Sequence, residues 1–171
     1  MVTNKDIQVL NEFLENRNVD YVLTGTAALF YHGLLPEGTE VHDIDIIVLT
    51  NEETRPALRA MFKELENLSG CQCENEHYGQ PVYVFKVGAN NIKVNAFEGD
   101  VLGCGGNHPK NHTIIIDGAP IKVHDVLDIL RAKFSLNRVK DHEFFAKIVN
   151  QLSKMFPNVR ESKSYASRQG R

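Results

Sequence analysis

The seven residues Asp43-Ile44-Asp45-Ile46-Ile47-Val48-Leu49 restrict the fold more than any other stretch of the chain. A run dominated by branched aliphatic residues reads as a β-strand over 43–49. Side chains at i and i+2 of a strand leave on the same side, so Asp43 and Asp45 stand next to each other where the strand opens. Two like charges so placed repel, and aspartate is disfavoured in strands. A divalent cation between them removes the repulsion, and magnesium suits carboxylate and phosphate oxygens. The competing reading makes both residues turn formers that cap the strand after His42.

The flanking sequence supplies the other elements. Asp6 to Asn16 has Ile7, Leu10, Phe13 and Leu14 at helical spacing. Tyr21-Val22-Leu23 is a short strand that stops at Thr24-Gly25. A helix then restarts over Ala27 to Tyr31, until Gly33, Pro36 and Gly38 break it. Beyond the 43–49 strand comes an amphipathic helix with Leu58, Met61, Phe62, Leu65 and Leu68 as its apolar stripe and Gly70 at its end. Val82 to Val87 and Ile92 to Phe97 alternate around Gly-Ala-Asn-Asn, and Thr113 to Ile116 and Ile121 to Val123 flank Asp117-Gly118; both pairs read as β-hairpins. Gly99 to Asn111 is polar and glycine-rich, a loop suited to lie over a site as a lid. Helices over Asp125 to Asn137 and Asp141 to Phe156 close the chain. Helices and strands so ordered describe an α+β domain, a mixed sheet covered by helices with further helices at the C-terminus.

The 171 residues and their net charge of −3 suit one globular domain. Residues 157–171 carry Arg160, Lys163, Arg168 and Arg171 against Glu161, a basic tail of +3 that leaves −6 on residues 1–156. The domain is therefore expected over 1–156, with the tail frayed and solvated rather than bound to RNA or an acidic partner. A body this acidic disfavours non-specific nucleic-acid binding, which needs a clustered cationic face. No stretch approaches a membrane span, and the polar start of the chain does not read as a secretory signal. Three cysteines do not make a disulfide framework, so a reducing cytoplasm is the expected compartment. Cys71, Cys73, His77, Cys104 and His108 invite a zinc reading, but Cys71-Gln72-Cys73 is tighter than structural zinc spacing.

Gly25-Thr26 lies between a strand and a helix, where glycine lets the backbone approach a ligand and the helix start offers N–H groups to an anion. A plain turn and cap explains the same residues. Projected as a helix, residues 125–138 place Lys133 between Val126 and Ile129, inside the apolar stripe. There a lysine must snorkel, pair with a carboxylate or reach a ligand.

A strand ending in Thr24-Gly25-Thr26, a helix, and a strand opening with Asp43-Ile44-Asp45 resembles the nucleotidyltransferase superfamily related to DNA polymerase β. The stretch from Ile121 to Lys133, followed by Arg138-Val139-Lys140-Asp141, is similar to the C-terminal block of small bacterial members of the abortive-infection toxin type. Lincosamide-modifying nucleotidyltransferases share the short length and the Asp-x-Asp strand. The resemblance implies transfer of a nucleotidyl group from a nucleoside triphosphate to a hydroxyl, with Mg2+ held by Asp43 and Asp45. It further implies that Gly25 and Thr26 cradle the triphosphate, that Lys133 meets phosphate, and that Asp141 joins the hydrogen bonding of the site. The acceptor is left open between a small molecule, a tRNA end and a protein hydroxyl, and a cognate inhibitor protein of a toxin–antitoxin pair is implied as a partner.

Two positions depart from the family pattern. The third carboxylate is expected on the later strand Ile92 to Phe97, where the sequence has Asn95. An amide cannot act as a base at neutral pH. Glu98 or Asp100 either substitutes for it or belongs to a solvated turn. A second acid is expected three places after Asp141, where Phe144 stands. The alternative function is therefore a nucleotide-binding or interaction module that keeps the fold with impaired catalysis.

Overall fold

The computed structural model describes residues 1–71, 82–98 and 109–157. Among these residues, five helices and a six-stranded mixed sheet make an α+β fold, as the sequence implies. Helix α1 (Asn4–Glu15) begins two residues before the expected Asp6, because Thr3 caps it. The Thr3 hydroxyl accepts from the Asp6 N–H while the Asp6 carboxylate accepts from the Thr3 N–H, a reciprocal capping box worth about 1 kcal/mol. Strand β1 (Tyr21–Thr24) runs directly into α2 (Gly25–Tyr31), so that Gly25 and Thr26 form the first turn of the helix rather than a loop before it. Strand β2 (Asp43–Val48) follows, then α3 (Arg55–Ser69), which ends at Gly70 in the left-handed conformation.

The two expected hairpins are present. Strands β3 (Val82–Val87) and β4 (Ile92–Glu98) pair antiparallel, as do β5 (Asn111–Ile116) and β6 (Ala119–His124). Asp117 and Gly118 both have positive φ, the backbone that a two-residue hairpin turn requires. Helix α4 (Val126–Ser135) is capped by Asp125, whose carboxylate accepts from the Leu127 N–H. Helix α5 (Val139–Met155) starts two residues earlier than expected.

The sheet order is β3-β4-β2-β1-β6-β5. The β2 strand lies antiparallel to β1 and parallel to β4, and β1 lies parallel to β6. Alternation sends Ile44, Ile46 and Val48 into the main core with Leu23, Phe85, Val94, Ala96 and Val123, against apolar residues of all five helices. The opposite face carries Asp43, Asp45 and Ile47, in register with Lys93, Asn95 and Phe97.

One expectation for α3 is overturned. Leu68, placed in the apolar stripe, is 77% exposed, whereas Glu66 is 4% exposed. The reason is the open edge of β3. The Glu66 carboxylate accepts the Val84 N–H at 3.0 Å, and the Ser69 hydroxyl accepts the Lys86 N–H at 3.1 Å. Helix α3 thus turns polar side chains toward a sheet edge that would otherwise present unpaired donors.

Candidate functional site

The sheet register assembles the site. Thr24 pairs with Asp45 across β1 and β2, Asp45 pairs with Asn95 across β2 and β4, and Asp43 pairs with Lys93 one step along. Residues at matched positions of neighbouring strands share a face, so the two aspartates and Asn95 meet there. The Asn95 amide nitrogen lies 2.8 Å from Asp45 Oδ1 and 3.1 Å from Asp43 Oδ2, donating one N–H to each carboxylate. The resemblance implies a carboxylate at Asn95; the structure makes the amide a bridge between Asp43 and Asp45.

Gly25 closes the other side. Its φ is +65°, and a β-carbon at this position would come within 2.3 Å of Asp45 Oδ2. Any side chain there would collide with the carboxylate, on a backbone that only glycine adopts at little cost. Thr26 follows in the first turn of α2, half-buried. That helix has only seven residues, so close backbone approach matters more here than a helix dipole.

Lys133 reaches the same place from α4. Burial lowers its pKa below that of an ordinary lysine, while Asp141 and Asp45 favour its charged form and Arg138 and Lys140 oppose it. Burial likewise pushes the Asp45 carboxyl up to about 6. The Asn95 hydrogen bond, Lys133 and Lys93 favour its charged form, and Asp43 repels it. The Lys133 ammonium sits 5.4 Å above the centre of the Phe144 ring. Phe144, where the family pattern expects an acid, therefore presents a π face to the lysine.

Asp141 is buried, and Arg138 grips it through two hydrogen bonds, Nη2 to Oδ1 at 3.0 Å and Nε to Oδ2 at 2.5 Å. Its position in the first turn of α5 ties the α4–α5 corner together and sets its charge near Lys133. Glu98 does not stand in for the third carboxylate. It lies one residue out of phase with Asn95, on the opposite face of β4, and is held by Arg55 at 3.0 Å and Arg59 at 2.8 Å from α3. Asp100, most of the Gly99–Asn111 loop, Cys73, His77, Cys104, His108 and residues 158–171 lie outside the described residues. Among the described residues no group of three or more His, Cys, Asp or Glu side chains is arranged to hold a metal ion.

The structure adds a support that the sequence reading missed. Thr24 Oγ1 lies 2.9 Å from His124 Nδ1, and His32 Nε2 lies 2.7 Å from the His124 carbonyl oxygen. His124 is buried where β6 ends beside β1, so it fixes the strand end from which Gly25 departs. Only the parallel pairing of β1 with β6, a hundred residues apart, brings these side chains together.

No protein-family model and no curated protein sequence matches the chain. Solved structures do. An antigenic nucleotidyltransferase-like protein from Paracoccidioides brasiliensis superposes with a TM-score of 0.54 at 17% identity, over 85% of this chain and 73% of that one. ANT(2″)-Ia in complex with adenylyl-2″-tobramycin superposes with a TM-score of 0.53 at 16% identity, over 97% of this chain and 98% of that one. At these identities the likeness establishes the architecture: the chain has the nucleotidyltransferase fold.

Proposed function

We propose that this protein transfers a nucleotidyl group from a nucleoside triphosphate to a hydroxyl acceptor, with Mg2+ held by Asp43 and Asp45. The observation that carries the proposal is the seating of Gly25 against Asp45. The fold brings a bare backbone corner onto a paired carboxylate, at the cost of a positive φ and of all side-chain volume. Two carboxylates suit a Mg2+ ion that completes its shell with phosphate oxygens and water, the usual arrangement for magnesium with nucleotides. The ion would neutralise phosphate charge as pyrophosphate departs. Lys133, half-buried and near enough to Asp45 to feel its charge, would bind the triphosphate. The Gly25-Thr26 corner lets phosphate oxygens approach the backbone. Asp141 and Phe144 orient Lys133 from α5.

For the acceptor, the match over nearly all of both chains to a protein bound to adenylyl-2″-tobramycin supports a small hydroxyl-bearing molecule. Among the described residues no helix is long and apolar enough to cross a membrane.

Asn95 favours a second reading, a nucleotide-binding module with slow or absent turnover, because an amide takes no proton from the acceptor. Calorimetry with each nucleoside triphosphate and Mg2+ tests the shared part. Wild type is expected to bind at least one of them, and Lys133→Met to bind it about tenfold more weakly, about 1.4 kcal/mol. Absence of binding by wild type overturns both readings. Pyrophosphate release with a panel of hydroxylated small molecules separates them: release establishes the transferase, and binding without release establishes the module.

A further inference from the structure

Asn95 does more than fail to be a base. Its amide nitrogen is within hydrogen-bond distance of one oxygen of each aspartate, so a single NH2 group offers its two hydrogens to two anions. The positive end of the amide dipole therefore occupies the space between Asp43 Oδ2 and Asp45 Oδ1. Paired carboxylates at nucleotidyl-transfer sites can hold two divalent ions; we infer that Asn95 takes the place of the second here, and that this protein holds its nucleotide with a single divalent ion. The inference rests on the nucleotide-binding reading above.

Three observations support it. First, the amide nitrogen, 2.8 Å from Asp45 Oδ1 and 3.1 Å from Asp43 Oδ2, occupies the position from which a cation would bridge those two oxygens. Second, the carboxylate oxygen left over on Asp45, Oδ2, is the one that faces Gly25. The free coordinating capacity of Asp45 thus points to the strand–helix corner, where a triphosphate would lie, and away from β4. Third, the donor supply is short. Among the described residues no third His, Cys, Asp or Glu joins the aspartates in a metal-binding group, and Glu98 is committed to Arg55 and Arg59 on the other face. Two carboxylates and a triphosphate can complete the shell of one hard cation. A second would depend on a neutral amide oxygen turned away from its present hydrogen bonds.

The bridge also explains how the pair is tolerated without an ion. Two aspartates side by side repel, and a neutral double donor compensates both at once without adding a charge. Asn95 is in this sense a positioning residue, which keeps Asp43 and Asp45 parallel and ready for one ion.

Counting ions tests the inference without recourse to turnover. Wild type and Asn95→Asp are each saturated with an α,β-methylene nucleoside triphosphate, and bound Mn2+ is counted by electron paramagnetic resonance after equilibrium dialysis. Wild type is expected to hold about one Mn2+ per chain and Asn95→Asp about two, since the variant supplies the anionic ligand that a second ion needs. Two ions in wild type overturn the inference, and so does a single ion in a folded Asn95→Asp. The wild-type count decides alone if the variant does not fold. Asn95→Ser, which removes the bridge without adding charge, is expected to stay at one ion. Wild type that binds neither nucleotide nor Mn2+ overturns the nucleotide-binding reading itself, an outcome distinct from two ions.

Discussion

Burial holds the Asp45 carboxyl at about 6 against an ordinary 3.8; Asp43 pushes the same way, while Asn95, Lys133 and Lys93 oppose. Between those two values the folded chain keeps a proton that the unfolded chain has released. The stability contributed by this group is therefore full below about pH 3.8 and lost as the pH rises through about 6. At neutral pH the loss amounts to at most roughly 3 kcal/mol in the metal-free protein, and the partial solvent exposure of Asp45 reduces it. Asp45→Asn removes the charge and keeps an acceptor for the Asn95 amide. In chelator, the variant is expected to be roughly 1–2 kcal/mol more stable than wild type at pH 7.5 and close to it at pH 4. Urea melts at both values check this, and a variant less stable than wild type at pH 7.5 refutes it. The same variant is expected to lose Mg2+-dependent nucleotide binding, so that this position exchanges stability for ligand.

At the scale of elements, the parts of the fold with local causes were readable before the structure. The Asp43–Asp45 pair follows from the two-residue period of a strand, and the β5–β6 turn from Asp117-Gly118. What could not be read depends on which strands become neighbours. Asn95 looks like a deficit in sequence, and only the parallel register of β2 with β4 turns it into a bridge. His124 reaches Thr24 only because β6 lies beside β1. Helix α3 shows the same limit: helical periodicity favours Leu68 over Glu66, and the edge of β3 reverses the choice. Glu66→Ala leaves the buried Val84 N–H without its acceptor and should cost about 1–3 kcal/mol. Leu68→Ala, at a site 77% exposed, should change stability by less than about 0.5 kcal/mol. Chemical denaturation of the two variants compares them directly. A larger loss for Leu68→Ala would return the helix to the orientation its periodicity suggests.

For the whole molecule the question is where the folding unit ends. Ile148 and Leu152 of α5 are the last buried apolar residues among those described, and beyond them Met155 is 43% exposed. We propose that the folding unit ends by 157, so that removing the segment 158–171 takes a charge of +3 from a body of −6. A chain ending at 157 is expected to melt within about 2 °C of the full chain. A chain ending at 147 loses both Ile148 and Leu152 and is expected to be destabilised by more than about 4 kcal/mol, each deletion opening a core cavity. Differential scanning calorimetry separates the two truncations. Nucleotide binding reports on the segment too, because a cationic segment acting only through the general field of the protein is screened beyond about 8 Å at 0.15 M salt. The 1–157 chain should then bind Mg2+–nucleoside triphosphate within about twofold of the full chain at that salt concentration. A loss of about tenfold or more would mean that the basic segment touches the phosphates directly, and the nucleotide site would extend beyond the domain that Asp43, Asp45 and Lys133 define.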